Sequence, residues 1–101
     1  MITPGTTPKH EFEFPVEINP SACEEFELIY AQCGRQVIVK HKADFVIDGQ
    51  KATVSLTQDD TRAFSHCHDV EIEFWVKLGD GTVPDPYRFT ETVDTVIGGA
   101  I

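Results

Sequence analysis

The sequence predicts an all-β chain. The expected fold is an Ig-like or Greek-key β-sandwich of about seven short strands, with one helical turn at the sheet crossover. Three observations predict it. Apolar and polar residues alternate in short runs, the period of half-buried strands. Turn signals separate these runs at spacings of roughly 8–12 residues. One stretch, Val54 to Phe64, breaks the alternation between two strand-like regions. There Leu56 ends a strand and Thr57 has the chemistry of a helix N-cap. Asp60 follows three residues later, near the position of a capping-box acid. Asp59 and Asp60 both suit the positive end of a helical turn, and Phe64 would plug whatever that turn covers.

In chain order, residues 1–8 are rich in Thr and Pro and read as an extended arm. His10 to Phe14 alternates, with Phe12 and Phe14 opposite Glu11 and Glu13; Pro15 marks it as an edge strand. Asn19-Pro20-Ser21 is a turn signal. Ser21 and Glu24 mimic a capping box, so a helix competes here with a strand. The strand reading, Glu25 to Gln32 with Phe26, Leu28 and Tyr30 on one face, is favoured. Cys33-Gly34 then turns the chain into the β-branched run Arg35 to Lys40, completing a hairpin. Ala43 to Asp48 reads as a strand, Asp48-Gly49 as a two-residue hairpin loop, and Lys51 to Leu56 as the returning strand. After the crossover, Asp69 to Leu78 is the clearest and longest strand, with Trp75 facing outward. Asp80-Gly81 gives another turn, Val83-Pro84-Asp85-Pro86 a loop, and Tyr87 to Val96 the last strand. The division expected is an arm over residues 1–8, one sandwich domain over 9–97 and a loose tail over 98–101.

With 101 residues there is room for one domain and no deep second lobe. The seven Phe among 41% hydrophobic residues supply a packed interior. The net charge of −9 argues against nucleic acid and anionic membrane surfaces as partners, because both would be repelled. No apolar run has the length of a membrane span, and residues 1–8 lack the apolar core of a signal peptide. The three cysteines fit free thiols in a reducing compartment, though a Cys23–Cys33 bridge stays open.

His66-Cys67-His68, with Cys23, Cys33, His10 and His41 elsewhere, contains the ligand types zinc prefers. The spacing is poor, since adjacent side chains of an extended segment point opposite ways. A polar loop is the plainer reading, and no metal or cofactor is expected. Asp59-Asp60 and Glu24-Glu25 read as cap acids and solvated charge rather than as a catalytic pair. Ser65-His66 offers no nucleophile elbow. Trp75, Tyr87, Phe89 and Tyr30 could line an aromatic platform for a sugar; a Trp covered by a neighbouring chain or loop is the alternative.

Two motifs carry a resemblance. Ile2-Thr3-Pro4-Gly5-Thr6-Thr7-Pro8 resembles the I-T-x-G-T-T-P opening of a family of short proteins encoded in bacterial prophages. Leu56-Thr57-Gln58-Asp59-Asp60-Thr61-Arg62-Ala63-Phe64 is similar to that family's L-T-Q-x-D-T-x-x-F, and Val70-Glu71-Ile72-Glu73 to its following V-E-I-Q strand. The resemblance runs from about Ile2 to Val96; Glu73 and the proline loop at Val83 to Pro86 depart from it. A looser similarity exists to the Ig-fold N-terminal domains of baseplate proteins. The L-T-x-x-D-T step is also similar to the turn before strand F of antibody-type domains. The resemblance implies a phage structural or accessory protein of the tail, baseplate or head–tail region. It implies no catalytic residues.

The function expected is therefore non-enzymatic assembly, with itself or with other phage structural proteins, in the virion or in the host cytoplasm during assembly. Thr3, Thr6 and Thr7 of the arm, with Trp75 and Tyr87, are the candidate contact residues; Thr57, Asp60 and Phe64 are the structural crossover. The arm has a second reading as a strap packed along its own domain. The alternative function is a small carbohydrate-binding module using Trp75 and Tyr87.

Overall fold

The protein, described by a computed structural model over residues 1–98 and 101, folds into seven strands and one short helix among those residues. The strands are β1 (Lys9–Glu13), β2 (Glu25–Gln32), β3 (Arg35–His41), β4 (Phe45–Asp48), β5 (Lys51–Ser55), β6 (Val70–Lys77) and β7 (Tyr87–Glu91); the helix α1 spans Gln58–Arg62. They form a three-stranded antiparallel sheet, β1-β5-β4, and a four-stranded one, β3-β2-β6-β7. The all-β sandwich that the alternation predicts is the fold observed.

The inward residues of each strand make one core. Phe26, Leu28 and Tyr30 of β2 are each 0% exposed, and the alternation of β2 places Glu25 and Glu27 on the other face. Phenylalanines stitch the sheets together. Phe74 of β6 lies 4.6 Å from Phe12 of β1 and 5.6 Å from Phe45 of β4, ring centre to ring centre. Phe14 stacks on Phe26 at 5.5 Å. Burying one such side chain contributes about 1.5–3 kcal/mol.

Turn chemistry sets the register. Cys33 and Gly34 both have positive φ, 52° and 75°, as a two-residue loop twisted to match its strands requires. The bulge between Tyr30 and Ala31 leaves Val37 unpaired on β3. The second hairpin departs from expectation. Asp48 pairs with Lys51, so the loop is Gly49-Gln50 and not Asp48-Gly49; only Gly49 takes positive φ, at 60°. Gln50 then donates through Nε2 to Pro15 O at 2.7 Å and Ile18 O at 2.8 Å, fixing the turn after β1.

Other boundaries shift for local reasons. Ala43 and Asp44 belong to a 3-10 turn, Lys42–Asp44, because the Asp44 carboxylate accepts from the His41 amide at 2.8 Å. Ser21 and Glu24 form no capping box; Asn19 caps a 3-10 turn over Pro20–Ala22 instead. Gly79 closes against that turn, where a Cβ would fall 2.8 Å from Ala22 O. β6 begins at Val70 and shares its eight-residue length with β2. β7 stops at Glu91 rather than continuing to Val96. Of the expected loose tail, Gly99 and Ala100 lie outside the described residues, while Gly98 and Ile101 are exposed. Among the described residues no helix is long and apolar enough to cross a membrane.

Candidate interaction surface

The crossover is built around α1. Thr57 accepts from the Asp60 amide at 3.0 Å, and Asp60 accepts from the Thr57 amide at 2.9 Å, a reciprocal capping box. Burial pushes the Asp60 carboxyl up, but the Thr57 amide and the Lys40 ammonium at 3.1 Å outweigh it, and its pKa falls below the usual value. Phe64 is buried against Tyr30, ring centres 6.0 Å apart.

The same turn holds the arm. Thr61, fully buried, accepts from the Gly5 amide at 3.0 Å and donates to Thr6 O at 2.9 Å. Gln58 donates through Nε2 to Gly5 O at 3.0 Å. Ile2 is 1% exposed and forms a parallel bridge to Val93. The arm therefore contributes a core side chain, which is the geometry of a strap along its own domain. Thr6 and Thr7 remain exposed and Thr3 is half-buried, with Thr6 Oγ1 donating back to Thr3 O at 2.5 Å.

His66, Cys67 and His68 are all exposed, on a loop clamped from below. Gln32 donates through Nε2 to Ser65 O at 2.8 Å and to His68 O at 2.9 Å, and accepts from the Ser65 amide at 2.9 Å. Among the described residues no three His, Cys, Asp or Glu side chains stand together as a metal site. His10 and Cys23 are engaged elsewhere. His10 Nδ1 lies 2.5 Å from the Tyr30 hydroxyl, linking the two sheets. Burial pushes the Tyr30 pKa up and the His10 pKa down, so we assign the hydroxyl as donor to a neutral imidazole. Cys23 is buried, burial pushes its thiol pKa up, and all three cysteines are free thiols.

The aromatic platform is not assembled. Tyr87 pairs with Phe74 across the β6–β7 ladder, so it stands on the inward side, yet it is 64% exposed. Trp75 is on the opposite, outer face, half-buried, its indole N–H donating to Glu73. Arg88 donates to the same carboxylate at 2.7 Å, and these hydrogen bonds hold the Glu73 carboxyl below its usual pKa. Tyr30 is in the core. Trp75 and Tyr87 therefore cannot grip one sugar between them.

The feature that periodicity did not disclose is a groove of about 660 Å³ between β1 and the β6–β7 pair. Phe12, Ile18, Val76 and Phe89 are half-buried there, Tyr87 stands at its edge, and Glu11, Glu13 and Asp85 contribute acids. Comparison with protein-family models, with curated proteins and with solved structures finds no match to this chain. The groove is flanked by two edge strands, β1 of one sheet and β7 of the other. Pro15 marks β1 as an edge in the sequence. That β7 lies beside it depends on how the sheets stack, which no local residue pattern records.

Proposed function

We propose that this chain is a non-enzymatic, Ig-like assembly module, a prophage structural or accessory protein of the tail, baseplate or head–tail region. It would act in the virion or in the host cytoplasm during assembly, on itself or on other phage proteins. The observation that carries the contact role is the half-open apolar groove between two edge strands, since such edges are templates for pairing with another chain. The strand order supports the Ig-like part. Read as strands B to G with a C′ strand, β1-β5-β4 corresponds to B-E-D and β3-β2-β6-β7 to C′-C-F-G, with α1 at the E–F corner. The phage part rests on the resemblance of Ile2 to Pro8 and Leu56 to Phe64.

The test is mass spectrometry of particles purified after prophage induction in the source strain. Peptides of this chain at fixed copy number relative to the major capsid protein are expected. Peptides abundant in the lysate but missing from clean particles would overturn the virion role and leave an assembly factor.

A further inference from the structure

Nothing in the fold requires a strand edge to remain open beside an apolar groove, and both are costly to leave exposed. We propose that the groove between β1 and β7 receives an extended segment of a partner protein. The segment adds a strand to the free edge of β7, sets alternate apolar side chains into the groove, and offers Lys or Arg to its acidic rim. This inference rests on reading the chain as an assembly module and names the partner chemistry of that site.

The edge is already used once. Ile2 N donates to Thr92 O at 2.7 Å, and Asp94 N donates to Ile2 O at 2.8 Å. Thr92 and Asp94 thus direct their backbone groups away from β6. Strand geometry repeats every second residue, so the N–H and C=O of Thr90 and Arg88 face the same way. Among the described residues no other backbone bond reaches this edge. The arm occupies the end near α1, and among the described residues nothing pairs with the edge along Thr90 and Arg88.

What lies under that line is apolar. Phe12 and Phe89 are 6.1 Å apart, both half-buried, with Ile18, Val76 and Tyr87 further along. Strand addition fits this arrangement: backbone bonds give affinity and alternate side chains give selectivity. The rim decides the charge of the occupant. Glu11, Glu13 and Asp85 line the groove on a chain of net charge −9. Lys51 approaches Glu11 at only 3.6 Å with both side chains over half exposed, a weak, screened pair. An acidic segment would be repelled, and a basic one attracted in a salt-dependent way.

The probe is a labelled peptide, KVTVKITVK, titrated against the full chain by fluorescence anisotropy. Its acidic counterpart EVTVEITVE and a form N-methylated at every second amide serve as controls. One-to-one binding is expected at about 0.05 M salt and weaker binding at about 0.5 M. The acidic peptide should bind at least about tenfold more weakly, and the N-methylated one should lose binding. A Glu13→Lys, Asp85→Lys variant should narrow the charge preference while keeping the same thermal midpoint. Equal binding by the N-methylated peptide would overturn strand addition. No binding by any peptide to a monomeric chain would overturn the groove as a strand acceptor, yet the assembly reading would still be decided by the particle measurement. Sedimentation showing a dimer that excludes the peptide would make a second copy the occupant and also overturn the proposal.

Discussion

Thr61 is one hydroxyl with two long-range duties, joining Gly5 and Thr6 to α1 from inside the protein. Thr61→Val keeps the shape but leaves the Gly5 amide and the Thr6 carbonyl without that partner. Stranding the buried Gly5 amide costs about 1–3 kcal/mol. We expect a fall of that size in urea-denaturation stability, together with faster proteolysis within residues 1–8. Unchanged protease resistance would show that Ile2 and the Gln58 bond to Gly5 suffice to hold the arm. His10 is the second residue whose chemistry reaches further than its position. Burial lowers its pKa from the ordinary 6.5, against the pull of the Glu91 carboxylate. The folded state therefore resists a proton that the unfolded chain accepts, and stability must fall as pH drops below 6.5 towards the folded value. It is fully present above that window. A thermal midpoint that declines between pH 7.5 and 5.5, with a shallower decline in His10→Gln, is the expected result. Parallel curves for the two proteins would remove His10 as the cause.

At the scale of elements, the arm is tied into the fold by one β-bridge at Ile2 and by its bonds to α1. Ile2 inserts between the sheets and pairs with Val93, so its truncation opens a core cavity. Ile2→Ala should cost about 2–4 kcal/mol, and deleting residues 1–8 should cost more, because the anchorage on α1 goes too. Both are read from urea midpoints with the slope checked for two-state behaviour. A deletion that leaves the midpoint unmoved would show the arm to be an accessory. This was hardly legible in the sequence, where Ile2 is one apolar residue among Thr and Pro and its partner lies over ninety residues away. Elements with their own period were legible: β2 and β5 follow from alternation, and α1 from Thr57 and Asp60. Two of the misplaced boundaries lie where a side chain captured the backbone. Asp44 drew Ala43 and itself out of the expected strand, and the loop at Gly49-Gln50 took the register that lets Gln50 clamp Pro15 and Ile18. The groove was illegible for a different reason: its two walls belong to different sheets.

For the whole molecule, the issue is how a sandwich with open edges stays dispersed. On β1, Phe14 N donates to Gln50 O and Pro8 O accepts from Leu56 N, so even-numbered residues bond to β5. The backbone groups of Lys9, Glu11 and Glu13 consequently face outward, at the strand edge where another copy would pair. Charged side chains on such a strand oppose that pairing, and an antiparallel copy centred on Phe12 would set Glu11 against Glu13. The net charge of −9 reinforces the effect at neutral pH and weakens towards the isoelectric point near 4.6. Glu11→Thr with Glu13→Thr removes the local guard and changes the net charge by only two. Light scattering should then show concentration-dependent association at pH 7.5, where the parent stays dispersed. The parent should approach the same behaviour only as pH falls towards 4.6. The thermal midpoint of the double variant should barely move, because both side chains are exposed and Thr suits a strand. If the variant stays dispersed at neutral pH, the guard is the strand's shape, with Pro15 ending it early, and the carboxylates serve the partner that the groove selects.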